Sequence, residues 1–276
     1  MDYSEYYEIC KERYSKKTAK EERSRKKEAE FYTDPVRQFD FSKNERYEGI
    51  LAEISKKAAA DFDTSKDISN DGVMIKHEKI WKFKPEIQEL CDIFVPILEK
   101  ELYFCNLYVD KIYIYRTMPM EERKSSYIWH YDNNPLEIVK TIFYLTDVDT
   151  IEQSPYEYLL GEQSRGVLCA PTRTGPKNWN PAPNNSRVDK IVESIAPNSG
   201  PKSRKVLGKR GTSCSFNNNA IHRANPVLEG HRDVINIRVK PTLDPAPQFA
   251  NDAWTTGFEK PGVVNPDPTL AWTKLI

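Results

Sequence analysis

The 276-residue chain contains no run of about 18 apolar residues, so no transmembrane helix is expected. It also lacks net charge, with 41 basic residues against 41 acidic ones. Bulk attraction to nucleic acid or to an anionic membrane is therefore not expected. The opening stretch MDYSEYYEICKERY has no apolar core, and a secretory leader is not expected there. Cysteines are few and scattered (Cys10, Cys91, Cys105, Cys169 and Cys214), odd in number and without a CxxC pair. This argues against a disulfide framework or a cysteine zinc site, and for a reducing compartment, with the cytoplasm as the expected location. No GxGxxG follows a strand pattern, which excludes a Rossmann domain.

What is present divides the chain into three. Residues 1–105 read as a helical N-terminal region. A charged helix is expected over 4–31, where nine Lys/Arg and eight Asp/Glu within 1–30 nearly cancel. Further helices are expected over 43–61 and 85–102. In the latter, Ile87, Leu90, Cys91, Phe94, Ile97 and Leu98 recur at helical spacing and make one apolar face. Residues 106–241 read as β-rich. YVDKIYIYRTM, SYIWHYD, EIVKTIFYLTDV, PYEYLL, GTSCSFNN, AIHRA and RDVINIRVKP are short, β-branched or aromatic, and punctuated by turns. The expected fold is mainly β with flanking α-helices, an antiparallel barrel or sandwich. Within it, residues 163–210 read as a Pro-rich insertion with one short helix, VDKIVESI. Residues 242–276 are expected to form an irregular tail.

Histidine is the scarcest reactive residue: only His77, His130, His222 and His231 occur. In WHYD, His130 and Asp132 stand two apart on an expected strand, and so on one face, close enough to share an ion. His222 follows 92 residues later, and Arg232 ten residues beyond it. Asn225-Pro226 and Glu229-Gly230 supply turn chemistry between them, so a hairpin centred on residue 227 is expected to set His222 opposite Arg232. Two histidines and a carboxylate with open coordination positions suit non-haem Fe(II), whereas a structural zinc site is closed by four protein ligands.

These stretches, WHYDNNPLEIVKTIFYLTDVD (129–149) and GTSCSFNNNAIHRANPVLEGHRDVINIRVKP (211–241), resemble the Fe(II)/2-oxoglutarate-dependent dioxygenases, in particular the phytanoyl-CoA dioxygenase-like branch. The resemblance implies a double-stranded β-helix (a jelly-roll, cupin-like barrel). It further implies His130, Asp132 and His222 as catalytic residues and iron ligands, and Arg232 as partner of the distal carboxylate of 2-oxoglutarate. The implied activity is hydroxylation of a small organic substrate with O2 and 2-oxoglutarate, releasing succinate and CO2. Related halogenases replace the ligand aspartate with a small residue, and Asp132 argues against that chemistry. The chain departs from the family after PYEYLL, where the long insertion leaves the substrate side without an analogue.

Other residues carry weaker expectations. Lys140 is a second co-substrate candidate if no bulge separates it from His130. Arg238, six residues beyond Arg232, is set aside as about 20 Å distant along a strand. Tyr113, Tyr115 and Arg116 are possible pocket residues, and Trp129 and Tyr131 are expected to pack away from the site. Asn217–Asn219 either orient His222 or form a turn, and His77 and His231 are expected to be structural. The insertion holds ten Lys/Arg and two acids, an excess of eight positive charges. Either it is a basic lid favouring an anionic substrate, or its charges are matched by acids elsewhere. A catalytically silent metal-binding jelly roll and a Cys214-dependent hydrolase are the alternative functions.

Overall fold

A computed structural model describes residues 36–254 except for 42, 65–73, 77–78, 120–124, 133–137, 161–187, 196–197, 199, 218–219, 243–247 and 251–252; beyond that span it describes residues 8, 9 and 12. The expected helix over 4–31 lies outside the described residues, save that residues 8, 9 and 12 are helical.

Two antiparallel sheets face each other. The larger runs β1 (Val36–Arg37), β7 (Ser213–Asn217), β4 (Val139–Tyr144), β9 (Arg232–Thr242), β3 (Asn106–Thr117) and β2 (Met74–Lys76), in that spatial order. The smaller runs β6 (Ser203–Val206), β5 (Tyr156–Leu159) and β8 (His222–Ala224). His130 adds a fourth position to the smaller sheet through an antiparallel bridge to His222. In chain order, β3 joins the large sheet, His130 the small, β4 the large, β5 and β6 the small, β7 the large, β8 the small and β9 the large.

The period of two along the strands divides the apolar residues between two cores. One face of the large sheet (Ile112, Ile114, Phe143, Ile235, Ile237, Val239) packs on α1 (Tyr47–Thr64) and α2 (Lys84–Leu98). Of the expected face on α2, Ile87, Leu90, Cys91, Phe94 and Leu98 are buried there. The other face contributes Ile142, Tyr144, Cys214, Phe216 and Val234, which meet Tyr156, Tyr158 and Val206 of the small sheet.

Four expectations need correction. The N-terminal region is not purely helical, because β1 and β2 form both edges of the large sheet; runs of two and three residues are too short to show a period. SYIWHYD is not a regular strand: Ser125–Tyr127 form a 3-10 turn and only His130 is bridged. Part of the supposed insertion belongs to the barrel, since β6 pairs with β5. Among the described residues there, the helix over VDKIVESI, Asp189–Ile195 (α3), appears as expected. Finally, β8 and β9 do not form a hairpin. Their connection crosses between the sheets, with Val227 bridged to Pro119 and Gln153.

Beyond β9, residues 248–250 run alongside the start of β3, where Val109 donates to the Gln248 carbonyl and accepts from the Ala250 amide.

Candidate metal centre

His130 and His222 are brought together by their bridge, in which each backbone N–H donates to the other's carbonyl at 2.9 Å. Directly opposite residues point to one side of a sheet, and the two rings meet with centroids 4.3 Å apart. Each imidazole is then fixed by its own backbone. His130 Nδ1 lies 2.7 Å from the Ile128 carbonyl, and His222 Nδ1 lies 2.7 Å from the Ala220 carbonyl. A carbonyl can only accept, so the proton of each neutral ring sits on Nδ1 and each Nε2 keeps its lone pair. The Tyr156 ring stacks on His222 at 5.2 Å, and Phe216 closes another side at 5.1 Å.

Asp132 completes the group. One ligand atom from each of His130, Asp132 and His222 falls within 4.8 Å of the others, and Asp132 Oδ2 stands 3.7 Å from His222 Nε2. Two imidazoles and a carboxylate gathered this closely could hold a metal ion. Burial would raise the Asp132 carboxyl. Lys140 and the two histidines outweigh that effect and hold it well below the usual carboxylate range.

Lys140 faces this centre, since β4 carries no bulge between Val139 and Tyr144. There its Nζ donates to Asp132 Oδ2 at 2.7 Å. Arg232 also points between the sheets, but from the large one. Its backbone pairs with Thr117 while His222 pairs with Tyr158, so the two residues stand on different sheets rather than opposite each other in a hairpin. Arg232 is 5% exposed; Nη1 donates to the Ser154 carbonyl and Nη2 to Thr117 Oγ1 at 3.2 Å. Ser154 adopts φ 63°, a left-handed conformation that a buried serine holds at a cost, and so presents that carbonyl. Arg232 Nε, Ser154 Oγ, Tyr156 Oη and Asn236 Oδ1 are buried with no hydrogen-bond partner among the described residues. Buried polar groups are ordinarily hydrogen-bonded, so four such atoms around Arg232 set this region apart.

The remaining candidates separate cleanly. Arg116 turns to the helical side, where Nε and Nη2 grip Asp233 at 2.8 and 2.9 Å, so it is no pocket residue. Tyr113 and Tyr115 pair with Asn236 and Val234 on the inner face. Trp129 and Tyr131 pack with Leu159, Val188, Val192 and Ile221, away from the centre as expected. His231 sits 3.6 Å from Asp233. His77 lies outside the described residues, as do Asn218, Asn219 and the side chain of Asn217. Cys214 is fully buried, its thiol pushed up to about 12 by burial against the opposing pull of Arg232. That environment suits a small apolar filler rather than a nucleophile.

Of the supposed basic lid, Lys205 pairs with Glu157 and Lys209 with Asp147 and Asp149, as the charge-matched reading requires. Arg204 is exposed and opposite Tyr158, hence on the inner side of the small sheet in the row that leads to His222. Arg165, Arg173, Lys177 and Arg187 lie outside the described residues.

Sequence reasoning passed over Thr117, Ser154 and Tyr156, and it set Arg238 aside. Arg238 is in fact the cross-strand neighbour of Lys140. Period two along β9 from Arg232 points to Asn236 and Arg238, and the pairing with β4 sets them opposite Ile142 and Lys140.

No protein-family model matches the chain, and no curated protein matches it by sequence. Solved structures do. The epimerase SnoN of nogalamycin biosynthesis, in complex with Fe3+, alpha ketoglutarate and nogalamycin RO, matches with TM-score 0.54 at 16% identity, over 84% of this chain and 93% of that one. HygX from Streptomyces hygroscopicus, with nickel, 2-oxoglutarate and hygromycin B bound, gives 0.51 at 15% identity over 79% and 87%. This chain shares their fold.

Proposed function

We propose that the chain is an Fe(II)- and 2-oxoglutarate-dependent oxygenase of the double-stranded β-helix fold that hydroxylates a small organic substrate. The fold assignment is supported by the alternation of successive strands between the two sheets and by the likeness to SnoN and HygX. The activity rests on one observation above all. Both imidazoles donate Nδ1–H to a backbone carbonyl, so their Nε2 lone pairs converge with the Asp132 carboxylate. Two imidazoles and one carboxylate, with the remaining positions open, fit Fe(II) better than a closed structural zinc.

In this reading His130, Asp132 and His222 hold iron, and Lys140 steadies the Asp132 carboxylate. Arg232 receives the distal carboxylate of 2-oxoglutarate, for which its unpartnered Nε and the nearby Tyr156 hydroxyl are the open donors. Bound iron would supply the O2 chemistry that couples conversion of 2-oxoglutarate to succinate and CO2 with substrate hydroxylation. The apolar wall of Tyr156, Phe216, Ile142 and Val234 excludes water from that space. A cytoplasmic location belongs to the same reading and is supported by Cys91, Cys105 and Cys214, which are buried and outside any disulfide.

Anaerobic titration of the apo-protein with Fe(II) and then 2-oxoglutarate tests the proposal through the visible charge-transfer band of the chelate. The band is expected in wild type, absent in His130→Ala, and reached only at far higher co-substrate in Arg232→Ala. Iron bound without a band would favour the catalytically silent metal-binding protein, and failure to bind iron would refute the centre.

A further inference from the structure

His130 stands at the outer edge of the small sheet. Its N–H and C=O both bond to His222, and among the described residues no strand pairs with its far side. Successive residues of an antiparallel pair turn their backbone groups to alternate edges, so those of Trp129 face away from β8. The segment that enters α3 takes both. Val188 N–H donates to the Trp129 carbonyl at 2.8 Å, and Trp129 N–H donates to Asp189 Oδ1 at 3.1 Å. Val188 and Val192 are buried with Trp129, Tyr131 and Ile221, and that packing holds the segment against the edge.

Trp129 N–H and the Ile128 carbonyl are the two ends of one peptide group. That carbonyl is the acceptor, at 2.7 Å, for His130 Nδ1–H. A trans peptide is planar, with its N–H and C=O directed oppositely, so holding the N–H fixes the line along which the carbonyl points. An anionic acceptor at the N–H also polarises the amide and makes its oxygen a stronger acceptor. A stronger bond at Nδ1 in turn makes the Nε2 lone pair a better donor to a metal ion. His222 is held in another way. β8 is paired with β5 on one edge and bridged to His130 on the other, so the sheet itself fixes that ligand.

We propose, resting on the reading of His130 as an iron ligand, that Asp189 is a positioning residue of the metal centre. It acts on the His130 imidazole through the Ile128–Trp129 peptide group, fixing the direction of the ring and raising the basicity of Nε2. The start of α3, in the region that reads as an insertion, thereby has a part in building the centre.

Two measurements on the full chain test this role. In the apo-protein, proton NMR reads the His130 Nδ1–H signal, which moves downfield as its hydrogen bond strengthens. Anaerobic titration with Fe(II) alone then gives the metal affinity. Asp189→Ala should shift the Nδ1–H signal upfield and weaken Fe(II) binding at least ~tenfold. Asp189→Asn keeps an acceptor oxygen for Trp129 N–H and should return the signal toward wild type, with Fe(II) bound within about threefold. Val192→Ala removes packing from α3 but not the acceptor. It should lower the melting temperature, leave the Nδ1–H signal in place and keep Fe(II) affinity within about twofold. Equal weakening by Val192→Ala and Asp189→Ala would make the whole helix the support and overturn the role of the carboxylate. An unmoved signal and wild-type Fe(II) affinity in Asp189→Ala would overturn it outright. If wild type binds no Fe(II) while the signal still moves in Asp189→Ala, the oxygenase reading fails and the link from Asp189 to His130 stands.

Discussion

At the scale of single residues, the centre depends on side chains whose hydrogen-bonding freedom the backbone has removed. Arg232 illustrates the point, because two of its nitrogens are already spent on Ser154 and Thr117. A lysine would keep the charge but lose the fork. Arg232→Lys should therefore raise the 2-oxoglutarate concentration for half-maximal chelate band by about ten- to a hundredfold, the worth of one or two charge-assisted hydrogen bonds. Fe(II) affinity measured without the co-substrate should stay within about twofold, since Arg232 touches none of the three ligands; a parallel loss would make Arg232 a structural residue. Cys214 provides the contrasting test. A thiol held near 12 is protonated at neutral pH, so iodoacetamide should leave turnover intact while an iron chelator abolishes it. The scarce histidines and the HxD spacing made this centre legible, because only four residues could supply imidazole. Ser154 was illegible, as nothing local in Gln153-Ser154-Pro155 announces that a carbonyl will meet an arginine 78 residues away.

At the scale of elements, cross-strand ion pairs join β3 to β9 and β5 to its neighbours. Arg116 and Asp233, both nearly buried, form a two-point bond between β3 and β9. Removing one partner strands a charge in the interior, so Arg116→Leu should cost about 3–5 kcal/mol in urea unfolding. The double variant Arg116→Leu/Asp233→Leu should recover most of that loss, because no lone carboxylate remains. Glu157 on β5 gives a pH signature. Burial pushes its carboxyl up, but Ser203, Arg223 and Lys205 outweigh that, and it sits below the ordinary 4.5. The unfolded chain then takes up this proton first, so stability holds above about pH 4.5 and falls as pH drops below it. Wild type should lose melting temperature relative to Glu157→Gln between pH 5 and pH 3.5, and parallel curves would remove Glu157 from the account. Helical spacing on α2 and alternation along β3 and β9 were readable because each run is long enough to show its period. The His222–Arg232 geometry was misread for a different reason. Turn residues after Ala224 announce that the chain reverses, but not which sheet the next strand joins, and that choice is made by long-range pairing with β3 and β4.

At the scale of the whole molecule, the large sheet separates a helical core from the barrel interior, and this division predicts how stability and function come apart. Phe94 on α2 packs edge-on to Phe143 with centroids 5.2 Å apart, on the side away from the metal centre. Phe216 is the next strand's counterpart on the other side, opposite Lys140 and against Tyr156 and His222. Both phenylalanines are buried, so truncating either to alanine should cost about 3–5 kcal/mol of unfolding free energy. Their effects on metal binding should differ. Phe94→Ala leaves the inner face of β4 held by its pairing with β7 and β9, and the folded protein should bind Fe(II) within about twofold of wild type. Phe216→Ala opens a cavity beside His222 itself, frees the ring to move from its Nδ1 anchor, and should weaken Fe(II) binding tenfold or more at equal loss of stability. Chemical unfolding paired with anaerobic Fe(II) titration at a temperature where both variants are folded decides the matter. Equal weakening by the two would mean that the helical layer sets the geometry of the centre through the sheet, and that the two cores are not independent.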